Sequence, residues 1–196
     1  MKIVHPKAGH LDFEELRTFI CQGKKNGWAS GAHPVNLSNG NKNYTFRMGD
    51  LLYTDNYIGE QGFMGMELVK FKGVPIWGMH YSGILTFPDS QKSELNRLYF
   101  EGQVNSFLAE MLRKVPNNLP FRGPVGVEVK RQTAVGELAY ENVAIVCPEI
   151  QMDGTIRKFI GREHISFRPS EQVKASEVFE LDYHGRLLIS DACIQR

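Results

Sequence analysis

The feature that most constrains the fold is a series of sequence blocks that recurs, in the same order, in the two halves of the chain. The matching blocks are Phe19-Ile20 with Phe107-Leu108, 49–55 with 136–142, 63–69 with 159–165, and 77–83 with 179–185. Their separation grows along the chain, as expected if the second copy carries insertions. An ordered recurrence of this kind indicates a structural unit that is used twice.

Alternating residues within these blocks predict strands with one buried face. Side chains alternate across a strand, so residues two apart share a face. In the third block the apolar face carries Glu67, and its counterpart carries Glu163. We therefore predict an α+β fold of two pseudo-repeats, 1–88 and 89–196, packed as one globular unit. Each would be a helix packed on a curved antiparallel β-sheet.

Helical spacing places one helix in each half. An N-cap at Asp12 predicts a first helix as far as Lys25, and a second is predicted from about Ser93 to Val115. The second helix has a predicted apolar stripe of Leu95, Leu98, Tyr99, Val104, Phe107, Leu108, Met111 and Leu112.

Glycine and asparagine mark the loops. The stretch 26–43 is predicted to be a long loop that closes over a site as a lid. Lys72-Gly73 and Asp153-Gly154 predict hairpin turns.

Composition excludes several classes of protein. Lys plus Arg number 23 and Asp plus Glu 22, a net charge of +1, which lacks the basic excess of a nucleic-acid binder. Three cysteines without a CxxC pair argue against a disulfide framework and a thiolate zinc site, and favour a reducing compartment. No apolar run predicts a signal peptide or a membrane span. We therefore expect a cytoplasmic protein with no direct nucleic-acid or membrane partner.

Known catalytic and cofactor motifs are not found in the sequence. It has no GxSxG, no P-loop, no GxGxxG and no metal spacing such as HxxxH. We expect neither a cofactor nor a metal.

Glu67 and Glu163 are the sharpest candidates for a site. A carboxylate on an apolar strand face costs several kcal/mol unless it is paired, hydrogen-bonded or protonated. Two interpretations stay open. Each glutamate accepts hydrogen bonds and fixes its sheet, or one or both face a cleft and bind a cationic or hydroxyl-bearing ligand.

Aromatic residues around Glu67 extend this candidate site. Aromatic rings together with a carboxylate hold amphipathic cations, each cation–π contact contributing roughly 0.5–2 kcal/mol. Asp55 shares a face with Tyr53 and Tyr57, and with Glu67 it would form a carboxylate pair for acid–base chemistry, with His80 as a third member. The predicted ligand-binding residues are Tyr53, Asp55, Tyr57, Glu67, Trp77, His80, Tyr81, Glu163 and Tyr183.

The chain resembles a bacterial family described only as domain of unknown function 5680. The resemblance rests on Gly49-Asp50, Tyr53-Thr54-Asp55-Asn56-Tyr57, Phe63-Met64-Gly65-Met66-Glu67, 73–83, Val115-Pro116, Pro120-Phe121-Arg122-Gly123-Pro124, 159–165 and Tyr183-His184-Gly185. The resemblance implies Asn at the position of His80 and often Phe at that of Tyr183, so it requires neither the imidazole nor the hydroxyl. It transfers no catalytic residues.

Three functions follow from these observations. The first is a ligand-sensing domain that binds a small molecule in a Glu/aromatic pocket, mainly in the first half. The second is a hydrolase that uses Glu67 and Asp55 as acid and base. The third is a protein-interaction module of the immunity or antitoxin-like kind. A homodimer is left open.

Overall fold

Twelve strands, two α-helices and two short 3-10 helices make up the regular structure of the residues that a computed structural model describes, 1–88, 93–117, 119–146 and 157–195. The strands are β1 (Lys2–His5), β2 (Gly9–Asp12), β3 (Val35–Asn36), β4 (Lys42–Met48), β5 (Leu51–Gly59), β6 (Gly62–Phe71), β7 (Val74–Leu85), β8 (Val129–Thr133), β9 (Gly136–Val146), β10 (Lys158–Arg168), β11 (Ser176–Leu187) and β12 (Ile194–Gln195). The helices are α1 (Phe13–Asn26) and α2 (Glu94–Arg113).

Nine of these strands form one antiparallel sheet. Its order is β3-β4-β5-β6-β7-β11-β10-β9-β8, and β7 pairs with β11 at its centre, with Tyr81 opposite Tyr183 and His80 opposite His184. The order on one side of this central pair therefore mirrors the order on the other. The remaining strands form a small sheet, β12-β1-β2.

The predicted fold class is wrong. The chain is mostly β, and nine strands drawn from both halves join in one continuous sheet instead of forming two separate helix-on-sheet units. Both helices lie on the same face of this sheet, where they share one apolar core. The alternation of side chains predicts which face of a strand is buried, but it carries no information about which strand pairs with which. Pairing of β7 with β11 gives each of these strands a second partner, which leaves no exposed edge between the halves. The division at 1–88 and 89–196 stays a prediction.

Both helices were predicted within a few residues of their ends. Asp12 precedes α1, and Ser93 precedes α2 and accepts a hydrogen bond from the Asn96 N–H at 3.2 Å. The predicted apolar stripe of α2 is wrong in its first turns, because Leu95, Leu98 and Tyr99 are exposed by 78%, 61% and 48%. This part of α2 extends beyond the sheet face that buries its second half.

The turns and the long loop are only partly as predicted. Lys72 and Gly73 form the β6–β7 turn with φ angles of 47° and 81°, the left-handed conformation of a tight hairpin. The stretch 26–43 contains a short 3-10 helix, Trp28–Ser30, and the edge strand β3. The predicted turn at Asp153-Gly154 lies outside the described residues. No described helix is long and apolar enough to span a bilayer.

The predicted inward faces of β6 and β10 are confirmed. Glu67 and Glu163 point to the core side of the sheet with 2% and 0% of their surface exposed. Gly65 and Gly161 lie on the same face two residues earlier, and a Cβ at either position would overlap the ring of Tyr81 or Tyr183. Glycine is needed at both positions because these tyrosine rings lie across the neighbouring strand.

Candidate functional site

A cavity of about 310 Å³ lies between the inner face of the sheet and the two helices. Its floor comes from β5, β6 and β7, and its walls from α1, α2, the short helix after α1 and the segment before β8. The lining residues are Lys24, Trp28, Ala29, Lys42, Tyr53, Asp55, Tyr57, Gly59, Glu60, Phe63, Glu67, Tyr81, Leu85, Glu101, Asn105, Leu108, Leu112, Arg122 and Phe179.

Glu67 is paired with a lysine from α1. The Lys24 ammonium donates to Glu67 Oε2, and both side chains are almost completely buried. Burial lowers the pKa of Lys24, and the negative charge of Glu67 opposes this shift. Lys24 also lies over the Trp77 ring at 5.6 Å. The ion pair holds α1 against the floor of the cavity.

Glu163 is paired with an arginine from the segment before β8. Arg122 Nε and Nη2 lie 2.9 Å and 2.8 Å from Glu163 Oε2, and the Tyr140 hydroxyl donates to Oε1 at 2.6 Å. Arg122 Nη1 is also 3.8 Å from Glu67 Oε1. Burial opposes its charge, but Glu163 and Glu67 together raise the pKa of Arg122. Arg122 therefore links the two buried glutamates across the sheet.

Asp55 is the buried acid without a cation of its own. It lies opposite Glu67 in the β5–β6 register and is 7% exposed. The Tyr81 hydroxyl donates to Asp55 Oδ1 at 2.6 Å. No ion pair reaches Asp55 from any described residue. Burial, and then the negative charge of Glu67, raise the pKa of Asp55 to about 7, against the opposing effects of Tyr81, Lys24 and Arg122.

Aromatic rings form much of the remaining wall. Lys42 Nζ lies over the Tyr57 ring at 5.7 Å, so this ring face already holds an ammonium group. Phe63 lies beside Tyr81 and stacks on Phe179, with ring centroids 6.3 Å and 6.1 Å apart. The cavity thus combines a buried carboxyl group with aromatic faces.

Five of the predicted ligand-binding residues come together at this cavity. They are Tyr53, Asp55, Tyr57, Glu67 and Tyr81. The other four lie elsewhere. Trp77, Glu163 and Tyr183 are buried in the adjacent core, and His80 is exposed on the opposite face of the sheet, where it stacks on His184 at 5.5 Å. His80 therefore does not join Asp55 and Glu67 as a third group.

Lys24 and Arg122 line the cavity but are not among the predicted ligand-binding residues. Lys24 follows Leu16 and Ile20 at helical spacing, so its place on the buried stripe of α1 can be read from the sequence. A second signal is charge, because two glutamates on a buried face require cations near them. The cation that pairs with Glu163 cannot be predicted from the neighbouring sequence, because Arg122 lies 41 residues away in an irregular segment.

Metal binding receives no support from the described part of the chain. Within it, no group of three or more His, Cys, Asp and Glu residues is arranged to hold a metal ion.

The fold and the cavity define a class of β-rich protein. In it, two helices enclose a pocket lined by ionisable side chains on one face of the nine-stranded sheet. The chain belongs to the family described as domain of unknown function DUF5680, whose model matches residues 55–188. This confirms the resemblance stated above. Asp55, Glu67, Tyr81 and Arg122 fall within the matched range, whereas Lys24 lies before it. No curated protein and no solved structure gives a significant match to the chain.

Proposed function

We propose that this protein binds a small organic cation in the cavity, with Asp55 as the group that receives its charge. The observation that carries this proposal is Asp55 itself. It is a carboxyl group that is 7% exposed, lines the cavity and has no ion pair within the described residues.

The balance of buried charges supports this proposal. Lys24 and Arg122 supply two positive charges, and Glu67 and Glu163 supply two negative charges in direct contact with them. An ionised Asp55 leaves this cluster with one negative charge in excess. Buried charges are stable only when they are paired, so a ligand cation would complete the cluster.

The aromatic walls support the same class of ligand. Trp28, Phe63 and Phe179 line the same cavity as Asp55. A cation over an aromatic face gains roughly 0.5–2 kcal/mol, more when water is excluded. The contact of Lys42 with Tyr57 is an example within the chain itself.

Calorimetric titration with primary amines tests this proposal. Benzylamine and cyclohexylamine should bind at pH 8, and benzyl alcohol and cyclohexanol, which are similar in shape but neutral, should bind at least tenfold more weakly. The Asp55→Asn variant should lose amine affinity by at least tenfold, because its amide carries no charge. Asp182→Asn is the matched control, since Asp182 is an exposed strand aspartate on the opposite face.

The pH dependence of binding supplies a second test. With the pKa of Asp55 raised to about 7, the carboxylate is present above this pH and is protonated below it. Amine affinity should therefore fall between pH 8 and pH 5.5. Equal binding by Asp55→Asn and the unmodified chain would overturn the proposal.

A hydrolase that uses Asp55 and Glu67 is the second candidate. Asp55 has a pKa raised to about 7, as a general acid requires, and its cross-strand neighbour Glu67 is held by Lys24. The pairing of Glu67 with Lys24 favours binding over catalysis, because a cation in contact with the carboxylate stabilises its charged form and makes it a weaker base. Chromogenic glycosides and esters test this candidate. Turnover that disappears in Glu67→Gln would establish it, and amine binding without turnover would exclude it.

A further inference from the structure

Two further carboxylates line the cavity at its rim. Glu60 is exposed in the turn after β5, and Glu101 is half-buried in the second turn of α2. Among the ion pairs of the described residues, neither glutamate takes part in one. The cavity therefore has unpaired acids at two depths, with Asp55 inside and these two residues near the solvent.

The two depths are separated along β5. Tyr53, Asp55, Tyr57 and Gly59 alternate on the inner face of this strand and all line the cavity. A strand rises about 3.3 Å per residue, so Asp55 and Gly59 lie roughly 13 Å apart along it. Glu60 follows immediately. The lining of the cavity therefore extends along β5 from the buried acid to the exposed one.

Apolar and aromatic groups lie between the two acidic ends. Tyr57 projects from the middle of this part of β5, and Phe63, Leu85 and Phe179 line the cavity from neighbouring strands. Such a surface favours methylene groups, because their burial removes apolar surface from water. The arrangement of charge, apolar wall and charge matches a chain with an amine at each end.

We infer that the ligand is an elongated diamine, and this inference rests on the proposed function. One ammonium group pairs with Asp55, the alkyl chain lies along Tyr57 and Phe63, and a second ammonium group lies between Glu60 and Glu101. An extended alkyl chain advances about 1.25 Å per bond, so the span of roughly 13 Å corresponds to about ten bonds between the terminal nitrogens. Lys42 lies on the same wall and disfavours a ligand with a third cation beside Tyr57.

The experiment compares α,ω-diaminoalkanes of increasing length with n-alkylamines of the same length, titrated into the full chain at pH 8. Long diamines should bind about threefold to tenfold more tightly than the matched monoamine, because the rim is partly solvated. Short diamines should show no such gain. The gain should shrink at high salt, because exposed charges are screened more strongly than buried ones.

Variants of the rim identify the origin of this gain. The Glu60→Gln and Glu101→Gln double variant should bind long diamines no better than monoamines and should keep its affinity for monoamines. Glu171→Gln, an exposed glutamate in the turn between β10 and β11, is the control and should keep the gain.

The outcomes separate the two proposals. If monoamines bind through Asp55 but long diamines bind no more tightly, the diamine inference is wrong and the proposed function stands. The inference also fails if the gain persists in the double rim variant. If neither class of amine binds, the proposed function fails, and the diamine inference fails with it.

Discussion

The two sides of the nine-stranded sheet hold a buried glutamate at corresponding positions but surround it differently. Beside Glu163 the space above the sheet is filled, because Phe121 stacks on Phe159 at 4.0 Å and Arg122 contacts the carboxylate. Beside Glu67 the helices leave the cavity of about 310 Å³. One side is therefore a packed core, and the other contains a cavity.

The clearest chemical difference is between Asp55 and Asn142, which occupy corresponding positions on β5 and β9. Asn142 is fully buried, accepts a hydrogen bond from the Tyr183 hydroxyl at 2.8 Å and donates one to the Gly123 carbonyl at 3.0 Å. Asp55 accepts the equivalent bond from Tyr81 but faces the cavity. The ionisable group lines the cavity, whereas the neutral amide is fully buried and has partners for both its donor and its acceptor.

The largest expected effect comes from removing the cation of the packed side. Arg122→Met leaves Glu163 buried without its partner and also weakens the contact with Glu67, so the free energy of unfolding should fall by about 3–5 kcal/mol. Chemical denaturation measures this change. The matched control is Arg162→Met, because Arg162 is exposed and pairs with Glu177 and Glu180 on the surface. A small effect of Arg122→Met would mean that the packed side does not depend on its ion pair.

The second prediction concerns a variant that gives the packed side a carboxyl group like that of Asp55. Asn142→Asp puts a carboxyl group at a fully buried position and removes the donor to Gly123, so it should cost about 2–4 kcal/mol at pH 8. At pH 5 the loss should be smaller, because the new carboxyl group can be protonated. Unfolding followed at both pH values measures the difference. An equal loss at both would show that the charge is not the cause.

The third prediction concerns the reverse change, a variant that gives the open side an amide like that of Asn142. The pKa of Asp55 is raised from 3.8 to about 7, so the folded chain binds more protons than the unfolded chain between these values. The free energy of unfolding therefore falls as the pH rises through this interval. Asp55→Asn should remove this decline and stabilise the chain by about 1–3 kcal/mol at pH 8, with little effect at pH 4.

A stabilised variant that no longer binds amines would show that Asp55 is kept at the expense of stability. Urea denaturation at both pH values provides the measurement, with Asp182→Asn as the control for a strand aspartate outside the cavity. Loss of stability in Asp55→Asn at pH 8 would mean that the carboxylate is itself part of the structural network, like Glu163.

Local patterns of sequence predict the faces of the strands and the ends of the helices, but not the architecture. Glu67 and Glu163 could be placed on the buried face because strand alternation has a fixed period. The single sheet could not be predicted, because it depends on pairing between β7 and β11, about a hundred residues apart in the chain. The exposure of Leu95 was missed for a similar reason, since helical spacing does not reveal where the sheet beneath the helix ends.

For the candidate site, the sequence predicts which strand residues share a face, but it does not predict which residues from other segments lie near them. Tyr53, Asp55 and Tyr57 alternate on one strand, so their common face follows from the sequence. The cations could not be assigned in this way, because α1 and the segment before β8 reach the sheet only through tertiary packing. His80 was misplaced for a different reason. It stands next to Tyr81 in sequence, and neighbours on a strand point to opposite faces.

The smallest expected effect is a difference in the free energy of unfolding between the variants that remove the Tyr183 hydroxyl and the Tyr81 hydroxyl. Tyr183→Phe leaves Asn142 Oδ1 buried without a donor, which should cost about 1–2 kcal/mol. Tyr81→Phe leaves Asp55 Oδ1 beside the cavity, where water can replace the lost donor, so its cost should be less than about 1 kcal/mol. Because the Tyr81 hydrogen bond favours the charged form, its loss should also raise the pKa of Asp55 further and shift the pH dependence of amine binding upward. Denaturation of both variants and titration of Tyr81→Phe across pH measure these effects. Equal costs would indicate that water does not reach Asp55, and the distinction between a packed and an open side would then be lost at this position.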